Sequence, residues 1–171
     1  MKKFTWLILG VITSIYACKR DPIMCCVVAQ RTAEITAQKN GVLWSPFFVS
    51  GALSNVDSLA ITAVSATFNT TYTKLDTLNI KLLYANNGTY KLVGNQVYYA
   101  TFANGTTNSY QIDPTFNNEL NITGYQILHN PATTNPDEVK VTGTFNIKFI
   151  DPANPAGISF LNGNFFTIMS R

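Results

Sequence analysis

Apolar and polar residues alternate through most of this chain. The most regular stretch is VKVTGTFNIKF. Val139, Val141, Phe145, Ile147 and Phe149 share one parity, and Lys140, Thr142, Thr144, Asn146 and Lys148 share the other. Successive side chains of a strand point to opposite faces, so this pattern predicts one side in the core and one in water. TLNIKLLY repeats it, with Leu78, Ile80, Leu82 and Tyr84 set against Thr77, Asn79 and Lys81. In LAITAVSATF the apolar parity passes from Leu59, Ile61 and Ala63 to Val64, Ala66 and Phe68, which predicts a bulge or bend near Ala63. Gly124 marks the same kind of change in LNITGYQILH.

Turn signals divide these runs. Asn40-Gly41, Asn87-Gly88, Asn104-Gly105 and Asn162-Gly163 each separate two apolar-patterned segments. Asn-Gly suits the positive backbone angles of tight hairpin turns, so each dipeptide predicts a hairpin. TLNIKLLY followed by TYKLV, with Tyr90 and Leu92 continuing the apolar face, is the clearest of them. NPATTNPDE and DPANPAG read as Pro-rich loops, and no segment after the first thirty residues has helical periodicity with caps. The expectation is an all-β fold: an antiparallel β-sandwich of about nine or ten strands, with a calycin-like β-barrel as the alternative.

Composition agrees. Apolar residues make up 46% of the 171 and charged residues only 12%, so polarity rests on Thr, Asn and Ser with 10 Gly and 7 Pro. That mixture fits pleated surfaces joined by turns. The formal charge of +3 includes Lys2 and Lys3; without them ten basic side chains face nine acidic ones. Such a balance offers no basic patch, and no nucleic-acid partner is expected.

Those two lysines open a segment of another kind. They precede FTWLILGVITSI, Phe4 to Ile15, a short apolar run. As a helix it would rise only about 18 Å, too little for a hydrocarbon core of about 30 Å, which fits a signal peptide rather than a span. Next comes IYAC, ending at Cys18. This resembles a bacterial lipobox, with small Ala17 before the cysteine that receives a diacylglyceryl group; the plainer reading is an ordinary secretory cut beside an incidental cysteine. The expected division is a signal peptide over 1–17, a lipidated tether over 18–30 and a single all-β domain over 31–171. Cys25 and Cys26 are neighbours, and the 3.8 Å or so across a trans peptide is below the usual disulfide range. They read as thiols in a short apolar stretch, IMCCVV, where tether meets domain.

Little in the chain points to chemistry. The only histidine, His129, ends a strand beside a Pro-rich loop with no marked nucleophile. The acids, including Asp113, Asp137, Glu138 and Asp151, are scattered in turns, where hydrogen bonds to the local backbone account for them. There is no metal-ligand spacing, calcium-loop pattern, phosphate loop or nucleophile elbow. The expectation is a protein that is not an enzyme, with no cofactor and no metal.

Aromatic residues are the remaining candidates. Saccharide-binding sandwiches stack sugar rings on exposed aromatic faces, and Trp44, Tyr98, Tyr99 and Tyr125 are the residues to consider. Tyr98 and Tyr99 are adjacent in a strand and point to opposite faces, so at most one is core; Trp44 occupies a core-facing hairpin position. The triplets DSL and DTL match an Asp-Ser/Thr-aliphatic pattern for O-glycosylation at Ser58 and Thr77, with turn-to-strand grammar as the plainer reading.

NGVLW (Asn40 to Trp44), LNITGYQ, VTGTFNIKF (Val141 to Phe149) and ISFLNGNF (Ile158 to Phe165) together resemble small Bacteroidota-type outer-membrane lipoproteins of unknown function. The GTF strand followed by NG.F is the most distinctive part. The resemblance implies a lipid-anchored outer-membrane protein with a β-sandwich-like domain, and carries no catalytic residues. Only Asp21 follows Cys18 closely, so a periplasmic facing is at least as well supported as surface display. The functional expectation is an uncharacterised envelope lipoprotein held to the membrane through Cys18 that binds a partner protein or glycan, or is structural. The alternative is a small-ligand-binding, lipocalin-like barrel.

Overall fold

Among the described residues the alternating segments become eleven strands. The computed structural model describes residues 32–53, 58–68, 73–83, 86–128 and 138–170. Of these residues 79% are in strand and none in helix, in an antiparallel, strongly curled sheet that forms a half-barrel. The strands are β1 (Ala33–Lys39), β2 (Val42–Trp44), β3 (Phe48–Leu53), β4 (Leu59–Phe68), β5 (Thr73–Leu82), β6 (Gly88–Lys91), β7 (Val97–Ala103), β8 (Thr106–Ile112), β9 (Glu119–Leu128), β10 (Glu138–Asp151) and β11 (Asn154–Ser170). The proposed signal peptide and tether, with Cys18, Cys25 and Cys26, lie outside the described residues, as does His129.

Two layers result. One runs β2-β1-β11-β10-β9-β6 and the other β3-β4-β5-β7-β8. They are continuous only through the far end of β10, where Phe149 pairs with Ile112 and Ile150 with Gln111. Along the same edge, the start of β10 pairs with β9 instead. On the other side the layers meet at Gly51 of β3. A Cβ there would lie 2.1 Å from Thr167 Oγ1, so only glycine admits so close an approach.

The inward faces supply one core. Val139, Val141, Ile147 and Phe149 are fully buried and Phe145 nearly so, as the parity of β10 requires. Leu59, Ile61, Leu78, Ile80, Tyr99, Leu120, Ile122 and Phe160 complete it. Large side chains fill the space between the layers, with Tyr99 in ring contact with Tyr110, Phe149 and Phe160 at centroid distances of 5.2, 5.3 and 5.2 Å.

Several expected details change. TLNIKLLY and TYKLV form no hairpin. The second edge of β5 pairs with β7, and β6 crosses to the other layer to pair with β9. The Asn162-Gly163 signal is not a hairpin turn but a bulge inside the single long strand β11. Asn162 takes the positive φ of 51° that marks the extra residue, and its N–H donates to Asn146 Oδ1 at 2.9 Å. DPANPAG is not an open loop either: Asp151 pairs with Asn154, so β10 and β11 are joined by a two-residue turn. Strand β4 keeps a continuous register with β5 and has no bulge near Ala63. Its inward parity carries on through Ser65, which stands opposite buried Asp76, so the face becomes polar instead of switching. The Gly124 signal does correspond to a register shift between β9 and β10. Hairpins stand at Asn40-Gly41 and Asn104-Gly105, with φ of 51° at both asparagines.

The GTF and NG.F segments meet in register. Gly143 pairs with Phe165, Thr144 with Asn164 and Phe145 with Gly163. Each phenylalanine lies across the glycine of the other strand: a Cβ on Gly143 would come within 2.7 Å of the Phe165 ring, and one on Gly163 within 2.4 Å of the Phe145 ring. The motif is a reciprocal cross-strand pair that buries two aromatic rings over bare backbone.

Candidate functional site

The divergence of β8 from β7 opens a cleft. The two strands pair from Tyr99↔Tyr110 to Ala103↔Thr106, and beyond Tyr110 β8 turns away to meet β10. Val97 and Tyr98 are left on one wall, Tyr110, Gln111 and Ile112 on the other, with Gly94 and Pro114 between. The open cleft has a volume of about 570 Å³, and an adjoining recess of about 210 Å³ shares Gly94, Ile112 and Pro114. Tyr98 is 44% exposed, and its hydroxyl shares a 3.0 Å hydrogen bond with Ser109 Oγ. An aromatic face, hydroxyls and the Gln111 amide thus line one partly apolar, solvent-open depression, the usual mix of groups at a small-ligand site.

The adjoining recess is bordered by Asn118, only 2% exposed. Its Nδ2 donates to the carbonyls of Asp113 at 2.6 Å and Phe116 at 3.1 Å, and its Oδ1 accepts the Lys148 N–H at 2.8 Å. Asp113 organises the same loop, accepting from Thr115 N–H at 2.9 Å and Thr115 Oγ1 at 2.6 Å. These bonds, with a further contribution from Lys148, hold its carboxyl below the usual carboxylate range.

A second polar group lies between the layers. Lys39, at the end of β1, contacts the carboxylate of Asp76 in β5. Its Nζ stands 5.2 Å from the Tyr99 ring centroid and 5.9 Å from that of Phe160. Burial pushes the Lys39 pKa down against the opposing pull of Asp76. Burial first, and Asp76 second, push the Tyr99 hydroxyl far up.

On the outer face, Thr36, Asn164, Thr144, Asn121 and Thr89 form a row across five strands. A shallow groove of about 290 Å³ crosses it beside Phe166. Its short polar side chains partly bond one another, as Thr89 does Asn121 at 3.3 Å, and Phe166 is half-buried. The Tyr98 cleft is larger and presents the more exposed aromatic.

The aromatic candidates separate. Trp44, 6% exposed, packs edge-on against Phe160, and Tyr99 is fully buried, so neither offers a face to a ligand. Tyr125 is half-buried against the core. Tyr98 alone of the four is exposed, and the opposite facing of Tyr98 and Tyr99 holds. Ser58 immediately precedes β4, but Thr77 is not at a strand entry: it lies within β5, paired with Val64 and Ala100 on either side. Among the described residues no group of three or more His, Cys, Asp or Glu is placed to hold a metal ion. Sequence reasoning missed Ser109, Gln111 and Pro114 as neighbours of Tyr98, and Lys39 as the partner of Asp76. No spacing signal could reveal them, since the first set depends on where β8 leaves β7 and the second on layer packing.

An antiparallel half-barrel with a filled core and a lateral cleft defines the class. The chain belongs to the family described as "Domain of unknown function (DUF6252)", which it matches over residues 31–169. No curated protein and no solved structure matches it.

Proposed function

We propose that this protein is a lipid-anchored envelope lipoprotein, exported by residues 1–17 and held to the outer membrane through Cys18, whose β domain binds a glycan without changing it chemically. The observation that carries the binding reading is Tyr98, an exposed aromatic face beside Ser109 and Gln111 in a cleft of about 570 Å³. Sugar CH groups suit the ring, and sugar hydroxyls suit the amide and hydroxyl groups. The filled core, with Tyr99, Phe149 and Phe160 in mutual contact, favours this lateral site over a ligand held inside a lipocalin-like barrel. A periplasmic facing remains at least as well supported as surface display.

The test is affinity electrophoresis of the full chain in detergent micelles through gels containing envelope or dietary polysaccharides. At least one polysaccharide should retard the protein, and Tyr98→Ala should weaken retention about tenfold, equivalent to about 1.4 kcal/mol. No retardation by any of them, or retardation indifferent to Tyr98→Ala, overturns the reading. The anchor is tested separately by labelled palmitate, which Cys18→Ala should fail to incorporate.

A further inference from the structure

The contact between Lys39 and Asp76 joins the two layers by charge beside a largely apolar core. The side chains are 18% and 12% exposed, and the ammonium is flanked by Tyr99 and Phe160. Asp76 Oδ1 and the Tyr99 hydroxyl are both buried without a hydrogen-bond partner. A buried ion pair with an unsatisfied oxygen gains little over its desolvation. An amine held against a carboxyl group is the reactant pair for an amide, and their condensation, which begins with transfer of one ammonium proton to the carboxylate, leaves a neutral product suited to surroundings of low polarity.

We propose that Lys39 and Asp76 join in an intramolecular isopeptide bond between β1 and β5. The Lys39 Nζ lone pair adds to Asp76 Cγ, forming the C–N bond. The C–OH bond then breaks, and the hydroxyl takes a proton from the nitrogen and leaves as water. Nothing is oxidised or reduced, and no co-reactant is needed. The buried Tyr99 hydroxyl, on the ring that flanks the Lys39 ammonium, donates to the oxygen on which negative charge develops and afterwards to the amide carbonyl. Bond formation therefore removes both buried charges and gives partners to both orphaned groups. The link closes a separation of 37 residues and fastens the first strand to the opposite layer. If Cys18 is the anchor, force arriving along the tether reaches β1 first; the chemistry itself does not depend on that reading.

The experiment is intact-mass and tryptic-peptide spectrometry of the purified full chain beside Lys39→Arg, which keeps the ion pair but supplies no amine nucleophile. Any lipid is common to both and cancels in the comparison. The wild-type chain should be lighter by one water than its sequence and lipid require, with a branched peptide joining the segments that carry Lys39 and Asp76. Lys39→Arg should have its full mass, and Tyr99→Phe should lower the linked fraction. A wild-type chain of full mass, or a mass deficit that persists in Lys39→Arg, overturns the proposal.

Discussion

Gly163→Ala is the sharpest probe of the core. Gly163 has no positive φ, so alanine meets no backbone penalty there, and the added methyl should stabilise an extended strand by about 0.5–1 kcal/mol. The obstacle is the Phe145 ring, three of whose atoms would lie 2.4–2.6 Å from the new carbon. Ordinary contact begins about 1 Å further out, and Phe145, 1% exposed, is packed within the core and cannot swing out to solvent. Overpacking of this kind costs about 1–3 kcal/mol. The net expectation in the wild-type background is a loss of about 1–2 kcal/mol. In a Phe145→Val background the ring is gone, and the same substitution should become neutral or stabilising by about 0.5–1 kcal/mol. The cycle therefore predicts a coupling of about 1–3 kcal/mol, read from urea midpoints at constant m-value. If Gly163→Ala is equally damaging in both backgrounds, the glycine is not present to receive the ring and the account of the GTF and NG.F segments fails.

Other consequences concern the polar fasteners. Asn118→Ala should lower stability by about 2–3 kcal/mol, since it strips partners from buried groups of the 113–118 loop, and saccharide retention should weaken with it; a change within about 0.5 kcal/mol in urea melts would contradict that role. Asn162→Gly should be neutral or slightly stabilising because glycine accepts the positive φ more readily, whereas Asn146→Ala should cost about 1 kcal/mol by removing the acceptor for the bulge N–H. Asp113 has a folded pKa below its ordinary 3.8. Its contribution to stability is therefore present above the unfolded pKa and lost as pH falls through the folded one. Acid titration of the fold should steepen below about pH 4, and Asp113→Asn should flatten that limb; identical acid profiles would refute the assignment.

The β class, the core face of β10 and the hairpins at Asn40 and Asn104 were legible because each depends on local rules. Alternation sets which side of a strand is buried, and Asn-Gly sets where the backbone can turn tightly. The same dipeptide misled at Asn162, where Asn146, sixteen residues earlier, captures the N–H and turns a reversal into a bulge within one strand. It misled again at Asn87, where the chain bends but β6 finds its partner in β9, because the free edge of β5 goes to β7. A local signal says that the chain turns and is silent on which edge it then joins.

The candidate site divides along the same line. That Tyr98 and Tyr99 face apart was readable from adjacency alone. Which of them is buried was settled by the layer facing β7, where Phe149 and Phe160 enclose Tyr99. The cleft itself exists only because β8 divides its pairing between β7 and β10, and the meeting of Lys39 with Asp76 only because two layers close on each other. Strand periodicity is a property of neighbours in the chain, and the sequence determined it alone. Strand partners, the filled core and the site are settled by competition among distant edges and faces for burial, which only the folded chain resolves.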